Sequence, residues 1–94
     1  MSGKGIVKMV DDAMHNGPTL LRLINLFVAL HDERLNEEEL TASLIDKNML
    51  GPFQRLLQLL KEQLLLEEGF MPCPAIDDRI TRQMRNQLIN HLKL

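Results

Sequence analysis

With 94 residues the chain is sized for one domain, and a domain this small buries too low a fraction of its surface for its core to be more than marginal. Hydrophobic residues make up 45% of it, too many for a disordered chain, while aromatics are only 3%, so the core must be built from Leu, Ile, Val and Met, a composition that suits helices. A formal charge of −2 excludes the overall basic field of a typical nucleic-acid-binding domain, and a lone cysteine, Cys73, excludes an intrachain disulfide.

The first helix is expected over residues 4–15, where Ile6, Met9, Val10, Ala13 and Met14 recur at helical spacing. Ser2 or Gly3 is placed to cap it, and Asn16-Gly17-Pro18 ends it, because Asn or Gly suits a left-handed cap and Pro cannot continue a helix. Residues 19–31 form the second helix. Its apolar residues, from Leu20 to Leu30, leave only a narrow polar strip, which marks either a central core helix or an oligomer interface. Both sides of such a helix are hard to cover in a monomer this small, so a homodimer is expected.

Asn36 is the N-cap of a third helix over 36–47, with Glu39 three residues on in capping-box position and Leu35 and Leu40 as the hydrophobic staple. Glu37, Glu38 and Glu39 complement the positive end of its dipole. They do not read as a metal site, because three consecutive helical carboxylates diverge. Residues 46–51 are a turn, in which Gly51 caps and Pro52 takes the first position of a fourth helix over 53–67. Gly69 stops that helix, although Leu64-Leu65-Leu66 is equally compatible with a short strand. Pro72 and Pro74 force an extended or turning segment, and a last helix, capped by Asp77, Asp78 or Thr81, carries Ile80, Met84, Leu88, Ile89 and Leu92.

This order of elements, with the helix exit Leu59-Leu60-Lys61-Glu62-Gln63-Leu64-Leu65 and the step Arg79-Ile80-Thr81, resembles a winged helix-turn-helix domain over about four-fifths of the chain. The resemblance implies a mainly α, winged helix-turn-helix-like fold with at most a short β-hairpin wing. It makes 1–94 a single domain, with an N-terminal helix in 1–17 and a winged-helix-like core in 18–94. Residues 52–63 become the recognition helix, 64–68 and 75–80 the wing strands, and 69–74 the wing tip.

The leading functional expectation is a small dimeric DNA-binding transcriptional regulator. Its nucleic-acid-binding residues are Gln54, Arg55, Gln58 and Lys61 on the recognition helix, with Arg79 and Arg82 on phosphates: Gln reads adenine, Arg reads guanine and Lys meets the backbone. The expected dimer interface comprises Met9, Met14, Leu23, Phe27, Leu88 and Leu92. The alternative is a protein–protein interaction module, an adaptor or anti-regulator, that does not bind DNA. Charge placement favours it: residues 18–48 hold three cations against six acids, and residues 70–94 four cations against two acids.

No enzyme is expected, since His15, His31 and His91 sit apart near helix ends and no phosphate loop, paired-cysteine motif or nucleophile elbow is present. No cofactor or metal is expected. The absence of a signal-peptide pattern and of a long apolar stretch points to a cytoplasmic protein without a membrane span.

Overall fold

Local caps decide where each helix begins and ends. The computed structural model describes residues 3–92, with side chains described over 5–90. Helix α1 (Gly3–Asn16) buries Ile6, Val7, Val10 and Ala13 on one stripe. The expected cap Ser2 lies outside the described residues. Gly17, at φ +82°, turns the chain left-handed after α1, as only glycine does without strain.

Thr19 then caps α2 (Leu20–Leu30), its Oγ1 accepting from the Arg22 amide at 3.2 Å. Asn36 caps α3 (Glu37–Asp46) as expected, its Oδ1 accepting from the Glu39 amide at 3.0 Å.

The α3–α4 turn differs from expectation. The left-handed residue is Asn48, at φ 57°, and Gly51 is already helical. The Met49 amide donates to Leu44 O at 2.8 Å and the Asn48 amide to Ile45 O at 3.1 Å, the paired bonds of a Schellman motif. Buried Met49 and Leu44 complete it. Helix α4 (Leu50–Leu64) therefore starts earlier, and Pro52 takes its third position. It is tolerated there because first-turn amides have no intrahelical acceptor.

Helix α4 is the centre of the molecule. It packs against α1, α2, α3 and α5 (Arg79–Leu92), and buries Phe53, Leu56, Leu57, Leu59 and Leu60. Helix α1 packs against α2, α3 and α4, so it is integral to the core rather than an appendage to it.

The fold is mainly helical, and among the described residues there is no strand. The expected wing strands, 64–68 and 75–80, are not formed: Leu64 belongs to α4, residues 79 and 80 to α5, and residues 65–78 form a strap laid along α4, with one 3-10 turn at Glu68–Phe70. Leu64 finishes the helix, Leu65 reverses the chain at φ 58°, and Leu66 is buried, so the leucine run serves a helix end. Pro72 and Pro74 have no amide to give a ladder, and the Ile76 amide donates to Gln54 O of α4 at 3.1 Å.

Leu65 is 81% exposed in a left-handed conformation that disfavours any residue with a Cβ. Leu65→Gly is expected to raise stability by up to about 1 kcal/mol, since relief of the backbone outweighs the added freedom of the unfolded chain. A urea melt with an unchanged slope and a higher midpoint checks this.

Candidate interaction surfaces

The candidate recognition side chains sit on the α4 face that carries the strap and α5. Arg55 is largely buried and clamps Asp78: its Nε lies 3.1 Å from both carboxylate oxygens, and Nη2 donates to Oδ2 at 3.1 Å. Gln54 Nε2 donates to Pro74 O at 3.0 Å, and Gln58 Nε2 donates to Glu62 Oε2 at 2.9 Å. Lys61 is exposed, 3.9 Å from Glu68 Oε1, a separation that gives little attraction in water.

Two helical turns beyond Arg55 on α4, Glu62 receives Arg85 of α5 through two bonds of 2.6 Å, and Arg85 also donates to Asp77 at 3.1 Å. Arg85 holds the Glu62 carboxyl below its ordinary pKa.

Asp78 does two jobs. Besides accepting from Arg55, its Oδ1 accepts the Thr81 amide at 3.0 Å, and the Thr81 hydroxyl oxygen accepts the Asp78 amide at 3.2 Å. The pair is a reciprocal cap on α5 with Thr in the place usually held by Glu. Thr81 is fully buried and donates its hydroxyl to Ile76 O at 2.9 Å, which fixes the end of the strap. The Arg55 guanidinium foremost, then the Thr81 amide, hold the Asp78 carboxyl well below the usual carboxylate range.

The remaining expected DNA contacts, Arg79 and Arg82, are exposed on the first turns of α5 with no ion-pair partner among the described residues. Two clusters of expected residues are thus brought together differently from the expectation. Of the α4 set, Gln54, Arg55 and Gln58 are bonded within the molecule, while Lys61, like the α5 pair, faces solvent.

The expected dimer residues divide in three. Leu23 and Leu88 are 1% and 0% exposed and belong to the core of the single chain, which removes them from any surface. Met9 and Phe27 are half-buried against that core. Met14 is exposed and lines a groove of about 270 Å³ of mixed character, with Ile80 and Met84 beside Arg55, Gln83 and Gln87. The side chain of Leu92 lies outside the described residues.

A different face of α2 is open: Leu20, Leu21, Ile24 and Val28 are 37%, 68%, 40% and 63% exposed. These positions share one side of the helix, while Leu23, Leu26 and Leu30 share the other. The one usable sequence signal was Asn25, the polar residue that borders the open side.

His31, at the end of α2, lies between the rings of Phe27 and Phe70 at centroid distances of 4.3 and 4.1 Å, with Nδ1 2.7 Å from Phe27 O. His15 pairs with Asp11 on the exposed end of α1, and its pKa is raised, chiefly by the Asp11 carbonyl and then by the Asp11 charge. The side chain of His91 lies outside the described residues.

Cys73 lines an open cleft between the strap and α4, and burial pushes its thiol up, away from the thiolate that a nucleophile needs. No group of three or more His, Cys, Asp or Glu among the described residues is placed to hold a metal ion. No described helix is long and apolar enough to cross a membrane. No known family matches the chain, and no curated protein or solved structure is significantly similar to it.

Two outcomes follow from the Arg55 clamp. Arg55→Ala is expected to lower the melting temperature by several degrees in a thermal scan, whereas a side chain waiting for DNA would be lost without effect. The Asp78 pKa is depressed by folding, so its contribution is fully present above the unfolded value of about 3.9 and is lost as pH falls through the folded one. Wild type should therefore exceed Asp78→Asn by a constant margin above about pH 5, and the margin should close progressively below about pH 4. Urea midpoints measured across that range read it directly.

Proposed function

We propose that this chain is a small protein–protein interaction module that acts through the open apolar face of α2 and does not read DNA. The observation that carries the reading is the face itself. Leu20, Leu21, Ile24 and Val28 form one uninterrupted exposed apolar surface on a regular helix, and surfaces of that kind mark contact sites. Its borders suit the role, because Asn25 is exposed beside it and Arg22, the only charged residue of α2, donates to Gly17 O at 3.1 Å on the far flank.

The engaged α4 face weighs against the DNA-binding alternative. A recognition helix must present free polar side chains to base edges, and here Arg55, Gln54 and Gln58 would each have to give up an internal bond first. The order α2, α3, turn, α4 still supports a helix-turn-helix-like scaffold, one with no strand among the described residues and with most of the polar side chains of its second helix bonded internally. Exposed Lys61, Arg79 and Arg82 are what favours DNA. Three phosphate contacts give a salt slope near 3, roughly a fortyfold loss of affinity between about 50 and 200 mM salt, well short of the six to ten contacts of a specific binder.

The deciding experiment is a titration of the full chain with mixed duplex DNA at about 50 and about 200 mM salt. No saturable binding is expected at either. Binding that weakens steeply with salt, and weakens further in Arg79→Ala/Arg82→Ala, would overturn the reading and restore the regulator.

A further inference from the structure

We infer that the open face of α2 pairs with α2 of a second copy of this chain, antiparallel, about a two-fold axis that passes at Ile24. The inference rests on the reading of α2 as the interaction face and names the occupant.

Self-pairing about a two-fold axis requires a face complementary to itself when reversed. Reversal about Ile24 sets Leu20 against Val28 of the partner, Leu21 against the partner's Phe27, and Ile24 against its own copy. Every large apolar residue on the open side then meets another, and none is left facing water. Phe27 is half-buried, packed on the core and against His31, and lies at the edge of this side, so the part of its ring left open meets the partner's Leu21.

Charge permits the arrangement. Like charges meeting across the axis are the ordinary bar to self-association. Helix α2 has no acidic residue in its first turn, no basic residue in its last, and a single charge at Arg22, turned away and bonded to Gly17 O. Antiparallel pairing also sets the positive end of each helix dipole beside the negative end of the other. A different protein, by contrast, is selected by charged and polar groups around an apolar centre, and this face offers none beyond Asn25.

The size of the face sets the strength. Helix α2 has 11 residues and is about 16 Å long. One such helix pair falls short of the roughly 1,200–2,000 Å² that stable interfaces bury. The dimer is therefore weak and exchanging, populated at micromolar concentration and above.

The test uses the full chain with Cys73→Ser as background, and reads both mass and register. In sedimentation, the average mass of wild type should rise from monomer toward dimer as concentration increases. Ile24→Glu should stay monomeric throughout with an unchanged circular dichroism spectrum, because the side chain is on the surface.

Under mild oxidation, Ile24→Cys should form a covalent dimer quickly. A mixture of Leu20→Cys and Val28→Cys chains should form the mixed dimer. Leu21→Cys alone should lag, because the two copies of position 21 lie about 9 Å apart along the axis, beyond the roughly 7 Å that a disulfide spans.

A mass that stays monomeric to millimolar concentration overturns the inference. Equal oxidation rates at Ile24→Cys, Leu21→Cys and the remote surface variant Gln83→Cys do so as well. Either result leaves the interaction reading itself to the DNA titration, so the two failures are told apart.

Discussion

The clamp of Arg55 on Asp78 governs the C-terminal third of this protein. Arg55 stands on α4 and Asp78 lies 23 residues later, at the junction of strap and α5. One carboxylate there accepts from the guanidinium and from the Thr81 amide, so the same group that ties the segment down also starts the helix. A helix whose first amides are satisfied by its own cap has a defined origin. A cap anchored to another helix has a defined origin in space as well. The second clamp, Arg85 to Glu62 and Asp77, repeats the logic two turns on and aligns α5 along α4. Two bonded arginines fix a direction where one would fix only a point. Both hold the end of the strap at Asp77 and Asp78, and Thr81, buried and bonded in both senses, closes the corner.

That arrangement changes what a polar helix face means. On a sequence, Gln54, Arg55, Gln58 and Lys61 at helical spacing look equally fit for solvent, for DNA or for another part of the chain. The physical difference lies in the partner, and the partners here are supplied by the strap and α5. A buried guanidinium without a carboxylate is expensive, and a paired one is not. Taking Arg55 away to a base edge would leave Asp78 with its cap bonds alone and half the strap without its anchor. Arg79 and Arg82 carry no such obligation. Contacts made by these two arginines would be general in character, because phosphate contacts carry no sequence information.

What the sequence made legible divides along the range of the interaction. Asn36 and Gly17 are readable because a cap is a local feature and residue type alone limits what can form it, whereas Thr19, expected inside the second helix, is its cap. Asn48 was missed in favour of Gly51 because both are permissive, and only the Met49 and Leu44 contact chooses between them.

The strap reads as a hairpin in sequence for a different reason. An apolar run followed by a proline-rich tip has the local pattern of a wing, and what excludes it is the bond from Ile76 to Gln54, 22 positions back along the chain. Helix α2 was ambiguous in principle. When both sides are apolar, periodicity cannot say which is inside, so Leu23 and Phe27 were expected on the surface and Leu21, Ile24 and Val28 were not singled out. For the same reason the candidate site was only partly legible: its residue types were visible, its orientation was not.

The open side of α2 gains its meaning from how firmly the closed side is held. Leu23, Leu26, Ala29 and Leu30 are all buried against α1 and α4. At the far end His31 is stacked between Phe27 and Phe70, which joins the helix to the 3-10 turn of the strap in a molecule with only three phenylalanines. An apolar surface on a loose segment could fold in on itself. On a helix fixed along one side and at one end it cannot, because turning Leu21 or Val28 inward would turn Leu23 and Leu26 outward. The exposure is therefore enforced by the core. A partner that covers this face meets a surface already ordered, and little conformational entropy remains to be lost on association.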